Sequence, residues 1–186
     1  MSKLVFRPLT PARWEHYEGL VGPNGASSGC WCMWWRLPNR AYRSGQGATN
    51  KRRFKRLVKK GPPPGLLAYE NGEAIGWCAV CPRRELPALD RSRQLARVDD
   101  VPVWSASCFF IKRSARGKGV SGALVEAALD YARDKGAPAL EAYPWNAKVK
   151  KAPSAIYTGI ASVFERLGFK EVARRAAHRP VMRYVF

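Results

Sequence analysis

Cys108-Phe109-Phe110-Ile111-Lys112-Arg113-Ser114-Ala115-Arg116-Gly117-Lys118-Gly119-Val120-Ser121-Gly122-Ala123-Leu124 runs from an apolar segment through a basic, glycine-rich turn into a helical repeat. The first amides of a helix have no intrahelical acceptor and lie at the positive end of its dipole. Gly117, Gly119 and Gly122 let a phosphate group approach the backbone, and Arg116 and Lys118 add charge. The segment therefore reads as an anion site. It is not a Walker A loop, because no Gly-Lys-Ser/Thr closes it. Its spacing and late position also fail the dinucleotide fingerprint.

Working outward, residues 3–8 read as a first strand, and Thr10-Pro11 opens a helix running to about Leu20. A basic helix is expected from about Thr49 to Lys59, stopped by Gly61-Pro62-Pro63-Pro64. Two apolar runs, 65–70 and 74–80, flank Asn71-Gly72, a strong hairpin signal. Residues 82–100 form a long charged connection to a buried strand from Trp104 to Ile111. Helical spacing at Val120, Leu124, Ala128 and Tyr131 ends near Gly136, a C-terminal cap. Ala139 to Tyr143 is a strand, Ile160 to Leu167 a short helix, and 170–175 and 180–186 two closing strands. This is an α+β chain: one mixed, mostly antiparallel sheet flanked by helices, expected to form a single domain over residues 1–186.

The turn resembles the acetyl-CoA-binding motif of the GNAT N-acetyltransferases, Arg/Gln-x-x-Gly-x-Gly/Ala, in Arg116-Gly117-Lys118-Gly119-Val120-Ser121, with Ser121 departing at the last place. Phe109-Phe110-Ile111 is similar to the family's fourth strand, and Phe164-Glu165-Arg166-Leu167-Gly168-Phe169 to the end of its last helix. The resemblance implies cofactor contact for Phe109, Phe110, Ile111, Arg116, Gly117, Lys118, Gly119, Val120, Ser121, Gly122 and Phe164. It also implies direct transfer of acetyl from acetyl-CoA to a primary amine held in the same cleft, with an oxyanion donor among the amides of 109–111.

The family pattern breaks at the chemistry. Many members use a tyrosine of the last helix as the acid that protonates the leaving thiolate, and Phe164 stands there. Tyr157 and Tyr143 are phenols able to replace it, or packed core aromatics. The fourth-strand carboxylate is also missing, the stretch being Trp104-Ser105-Ala106-Ser107. Glu141, in an apolar strand beside the expected cleft, is the candidate base, or else a salt-bridge partner. Asp99 and Asp100 are weaker candidates, and His16 and His178 lie outside the motif elements.

Between the first two helices, Cys30-Trp31-Cys32-Met33-Trp34-Trp35-Arg36 falls where the family shapes its acceptor pocket. Trp31, Cys32, Trp34 and Arg36 are the candidate acceptor residues; the aromatic rings serve as pocket wall, core, or both. A metal site from Cys30, Cys32, Cys78 and Cys81 is the minor reading, since strand alternation sends Cys78 and Cys81 to opposite faces.

The 186 residues, 46% hydrophobic and 25% charged, describe a globular chain large enough for its own core. Met1 to Pro8 lacks the apolar core of a signal peptide, no apolar run is long enough to span a membrane, and the five cysteines read as reduced thiols of a cytoplasmic protein. A monomer or homodimer is expected. The 33 Lys and Arg outweigh 14 Asp and Glu, for a net charge of +19. That field attracts the phosphates of CoA. The alternative readings are a CoA-binding module with impaired catalysis and a basic protein that associates with nucleic acid. The densest basic patches are 51–56 and 148–151.

Overall fold

The computed structural model describes residues 3–146 and 155–186. The basic patch at 148–151 lies outside the described residues. Among the described residues, seven strands form one sheet in the order β1-β2-β3-β4-β5-β7-β6. These are β1 (Val5–Pro8), β2 (Gly65–Glu70), β3 (Glu73–Pro82), β4 (Trp104–Ile111), β5 (Ala139–Ala142), β6 (Lys170–Arg174) and β7 (Pro180–Val185). Every neighbouring pair is antiparallel except β4 and β5, which run parallel from Trp104↔Leu140 to Ala106↔Ala142. The mixed, mostly antiparallel sheet expected from the sequence is present.

The β2–β3 hairpin turns at Asn71 and Gly72, with φ of 50° and 82°. Two consecutive positive values give the backbone twist that a tight hairpin needs. Ala79 pairs with Cys108 and Val80 with Ala106, so Ser107 is the extra residue of a bulge in β4. A bulge bends its strand and re-aims side chains. This one falls where β4 has left its short pairing with β5.

The α-helices of the described residues are α1 (Trp14–Val21), α2 (Asn39–Ser44), α3 (Ala48–Lys60), α4 (Pro87–Arg91), α5 (Val120–Asp134) and α6 (Ala161–Arg166). On one face, α5 buries Val120, Leu124, Val125, Ala128, Leu129 and Ala132, joined in the core by Phe164 and Phe169. Gly136, at φ 74°, follows the helix as its terminator. On the other face, α1 buries Trp14, Tyr17 and Val21, and α3 buries Asn50, Phe54 and Val58. These rings meet Trp31 and Trp77 in an aromatic core, with Tyr17 5.0 Å from Trp77 and 5.2 Å from Phe54. Such pairs each contribute roughly 0.5–1.5 kcal/mol beyond area burial.

The long charged connection from β3 to β4 holds α4 and is tied down by a cluster of buried and half-buried charges. Arg83 donates to Asp90 (2.7 Å), to the Leu95 carbonyl (2.8 Å), to the Tyr143 hydroxyl (2.6 Å) and to Glu141 (3.4 Å). Arg183 of β7 donates to the same Glu141 (2.7 Å) and, in a two-pronged contact, to Asp99 (2.7 and 3.0 Å). Ser105 of β4 completes it, 2.7 Å from the Tyr143 hydroxyl. The cluster joins β4, β5, β7 and the connection at one end of the sheet.

Candidate active site

The strand-to-helix turn has the geometry its composition demands. Gly117 and Gly119 take φ of 75° and 78°, in the left-handed region that favours glycine, and Gly119 caps α5. Ala123 donates to the Gly119 carbonyl, so the amides of 117–122 lie ahead of this first helical bond. A Cβ built on Gly117, Gly119 or Gly122 meets nothing within 4 Å. Open space over exposed amides at the start of a 15-residue helix suits a diphosphate. Arg116 and Ser121 face the adjoining cavity, and Arg116 Nε also donates to the Ile111 carbonyl at 3.1 Å.

That cavity, about 800 Å3, runs from the turn along Phe109, Phe110 and Ile111 of β4 to a chamber between the α1–α2 connection and the sheet. The chamber is walled by Trp34, Trp35, Tyr42, Phe54 and Trp77, and also by Tyr157 and Val163. Three cysteines, Cys30, Cys32 and Cys108, line it as well.

Among the expected cofactor residues, two have roles that differ from the expectation. Val120 is buried against Gly76 and α5's own core face, so its amide alone can meet a ligand. Phe164 lies beneath the cavity wall between Phe109 and Phe169, with ring centroids 6.0 and 5.2 Å away, and does not line the cavity. Lys118 is exposed at the turn.

The expected oxyanion donors also divide. The Phe109 amide donates to the Tyr157 carbonyl at 2.6 Å, on the strand edge away from β3. A strand repeats every two residues, so the Ile111 amide points to that same edge.

The catalytic expectations need correction. Glu141 is 1% exposed and does not line the cavity, and its two oxygens are held by Arg83, Arg183 and the Tyr143 hydroxyl. A carboxylate so fully occupied has no lone pair free for an amine, and it stands as a structural ion pair. Tyr143 belongs to the same cluster and is equally remote from the cavity; burial, then the charge on Glu141, pushes its phenol well up. Asp99 is held by Arg183, and His16 pairs with the Tyr69 hydroxyl at 2.8 Å on another surface. Tyr157 alone of the three faces the cavity. Burial, then the nearby Cys108, raises its phenol, and its hydroxyl meets the Arg179 guanidinium. It keeps its proton at neutral pH.

The acceptor residues divide as well. Trp31 is 1% exposed and stacked on Trp14 at 6.2 Å; a Cβ on Gly25 would sit 2.5 Å from its ring. It belongs to the core. Cys32, Trp34 and Arg36 do line the chamber. Arg36, however, is bound to Glu85 at 2.9 Å and to the Cys81 sulfur at 3.2 Å. Trp35, which the sequence offered with Trp31 and Trp34 as a possible aromatic wall, lines the chamber, whereas Tyr42 and Cys108 were passed over as site residues. Only Cys108 had a signal available, since strand alternation places it on the face opposite Phe109.

Among the described residues, no carboxylate and no imidazole lines the cavity, and 147–154 (Ala-Lys-Val-Lys-Lys-Ala-Pro-Ser) contains neither group. No cluster of three His, Cys, Asp or Glu among the described residues is arranged to hold a metal ion.

β4 and β5 pair only from Trp104 to Ala106, and the cavity follows β4 beyond that pairing to the glycine turn. The family model for the acetyltransferase (GNAT) family matches residues 31–154, and the chain belongs to that family. Solved structures of similar fold include a polyamine N-acetyltransferase from Drosophila melanogaster, 14% identical over 99% of both chains with a TM-score of 0.58. The PaiA N-acetyltransferase of Thermoplasma acidophilum, in complex with coenzyme A, is 12% identical over 99% of both chains (TM-score 0.54). The aminoglycoside N-acetyltransferase AAC(6')-Iy, in complex with CoA, is 20% identical over 96% of this chain and 95% of that one (TM-score 0.55). A search of curated proteins returns no match.

Proposed function

We propose that the protein transfers acetyl from acetyl-CoA to a primary amine seated in the aromatic chamber. The observation that carries this reading is the cavity connecting Arg116 and Ser121 of the glycine turn with the rings of Trp34, Trp35 and Tyr42. The diphosphate sits over the turn, the pantetheine arm follows β4, and the thioester reaches the chamber near Cys108 and Phe109. The Ile111 amide, or the Phe109 amide once the Tyr157 carbonyl gives way, meets the charge that develops on the carbonyl oxygen. The Tyr157 phenol is a protonated group facing the cavity.

The chamber also favours a kind of acceptor. Among the described residues, its lining charges, Arg36 and Arg116, are positive, and no acid lines it to hold a second ammonium. An alkyl ammonium has a pKa of roughly 10 and needs a base to remove its proton, whereas a weakly basic aromatic amine arrives neutral. An apolar, weakly basic monoamine fits these walls better than a polyamine.

Calorimetry with acetyl-CoA and with CoA, followed by thiol release with aryl monoamines and with spermidine, tests the proposal. Heat of association with both nucleotides is expected, with turnover of the aryl amines above that of spermidine. Absence of association, or strict preference for the polycation, removes it.

Two tryptophans give a sharper check. Trp34→Ala is expected to raise the acceptor KM several-fold and leave the melting temperature nearly unchanged, since the ring is 37% exposed. Trp31→Ala is expected to cost about 3–5 kcal/mol of stability and leave KM alone. Reversed effects in urea unfolding and steady-state kinetics would reassign both rings.

A further inference from the structure

We infer that the outer face of α3 is a docking surface for double-stranded DNA, held through its phosphate backbone. None of the cations concerned lines the cavity, so the surface is separate from the acetyl-CoA site.

The helix has two sides. Asn50, Phe54 and Val58 form its buried stripe, and the two apolar ones join the aromatic core. Arg52, Lys55, Arg56, Lys59 and Lys60 are exposed on the other side. Arg52, Arg56 and Lys59 follow one another at the four- and three-residue steps that set helical side chains in a row. No Asp or Glu occurs anywhere between Glu18 and Glu70. Among the described residues, the pair of Lys51 with Glu18 of α1 is the one salt bridge that a cation of α3 makes.

Helix physics disfavours this arrangement. Arg52 and Arg56, Lys55 and Lys59, and Arg56 and Lys60 are like charges four residues apart, and each pair costs the helix stability. The first turn carries no acid, although the positive end of the dipole favours one, and Lys51 stands there instead. A face that repels itself in this way gains from meeting a polyanion, whose condensed counterions are released on contact. The neighbouring helix extends the charge. Asn50 donates to the Tyr42 carbonyl at 3.2 Å and Arg53 to the Ala41 carbonyl at 2.9 Å, which locks α2 against the first half of α3. The exposed Arg40 and Arg43 of α2 come with it.

The chemistry of the face selects among polyanions. A helix that lies on a membrane inserts apolar side chains beside its cations, whereas the remaining exposed residue of α3 is Ala48. Single strands are held by bases stacked on aromatic rings, and the ring of α3, Phe54, is buried. Protein interfaces are depleted of lysine at their centres and built round aromatic or apolar anchors, which this face lacks. A duplex asks for none of these. It presents a regular array of phosphates, and a row of arginine and lysine answers it. The B-form major groove is wide enough to receive a helix face, while the A-form groove of duplex RNA is too narrow.

Fluorescence anisotropy of the full-length protein with a short labelled DNA duplex of arbitrary sequence tests the assignment. About four phosphate contacts give a slope of roughly −3.6 for log K against log salt, so affinity should fall roughly 100-fold between about 50 and 200 mM. The triple variant Arg52→Gln/Arg56→Gln/Lys59→Gln should flatten the slope by about three and keep its association with acetyl-CoA. It should melt no lower than the unaltered protein, because like-charge pairs are removed. As a control, Arg133→Gln/Arg166→Gln/Lys170→Gln removes the same charge from exposed positions on α5, α6 and β6, and should keep the slope. Should the α3 triple variant misfold, its single substitutions decide, each expected to flatten the slope by about one. No association at low salt, equal losses in the two triple variants, or tighter binding to single-stranded DNA, duplex RNA or anionic vesicles overturns the inference.

Discussion

Glu141→Ala is expected to destabilise the protein by about 3–5 kcal/mol, the scale on which breaking a buried ion pair acts, and to leave acetyl-CoA affinity unchanged. The carboxylate is 1% exposed and accepts from two arginines, themselves 6% and 8% exposed. Removing it strips both arginines of their shared buried acceptor, leaving Arg83 with Tyr143 and the half-exposed Asp90, and Arg183 with the half-exposed Asp99. Against a total stability of about 5–15 kcal/mol, such a loss is large. Glu141→Gln keeps an acceptor oxygen for one arginine and should cost less. Urea unfolding of both variants, with calorimetry on the folded fraction, checks the order. An unchanged urea midpoint together with lost turnover would return Glu141 to catalysis.

The same residue shows where sequence reasoning stops. An acid within Ala139 to Tyr143 announces burial, but β5 is buried on both faces, so alternation does not say what the acid meets. Its partners stand 58 and 42 residues away, distances no spacing rule spans. The turn at 116–122 and the Asn71-Gly72 hairpin were legible because their geometry is local: a few residues fix φ, and the flanking periodicity fixes the rest. The short helices α2 and α4 were not, since each buries a single side chain, Tyr42 or Leu89, and shows no repeat. Trp31 and Trp34 look alike in sequence; positive φ at Trp31 and Cys32 separates a ring that packs inward from one that faces the chamber. The sulfur contact between Cys32 and Cys108 likewise joins a loop to a strand, and only the fold brings the two together.

Gly122→Glu is expected to raise stability while weakening acetyl-CoA binding roughly 100-fold. Gly122 has ordinary helical backbone in the first turn of α5, and a Cβ there meets nothing within 4 Å. Replacing helical glycine gains about 0.5–1 kcal/mol, and an acidic side chain beside the helix N-terminus adds about 0.3–1 kcal/mol. Gly119, at φ 78°, could not be used in this way, because any side chain there is strained whatever the space. The open space that makes Gly122→Glu harmless to the fold is the space assigned to the diphosphate. A carboxylate about 5 Å from a phosphate charge costs about 3 kcal/mol at the effective dielectric of a protein surface, which corresponds to roughly 100-fold in Kd. The two effects thus have opposite signs from one substitution, so a general loss of structure cannot imitate the result. A higher melting temperature with wild-type affinity for acetyl-CoA in calorimetry would show that the diphosphate lies elsewhere than over the amides of 117–122.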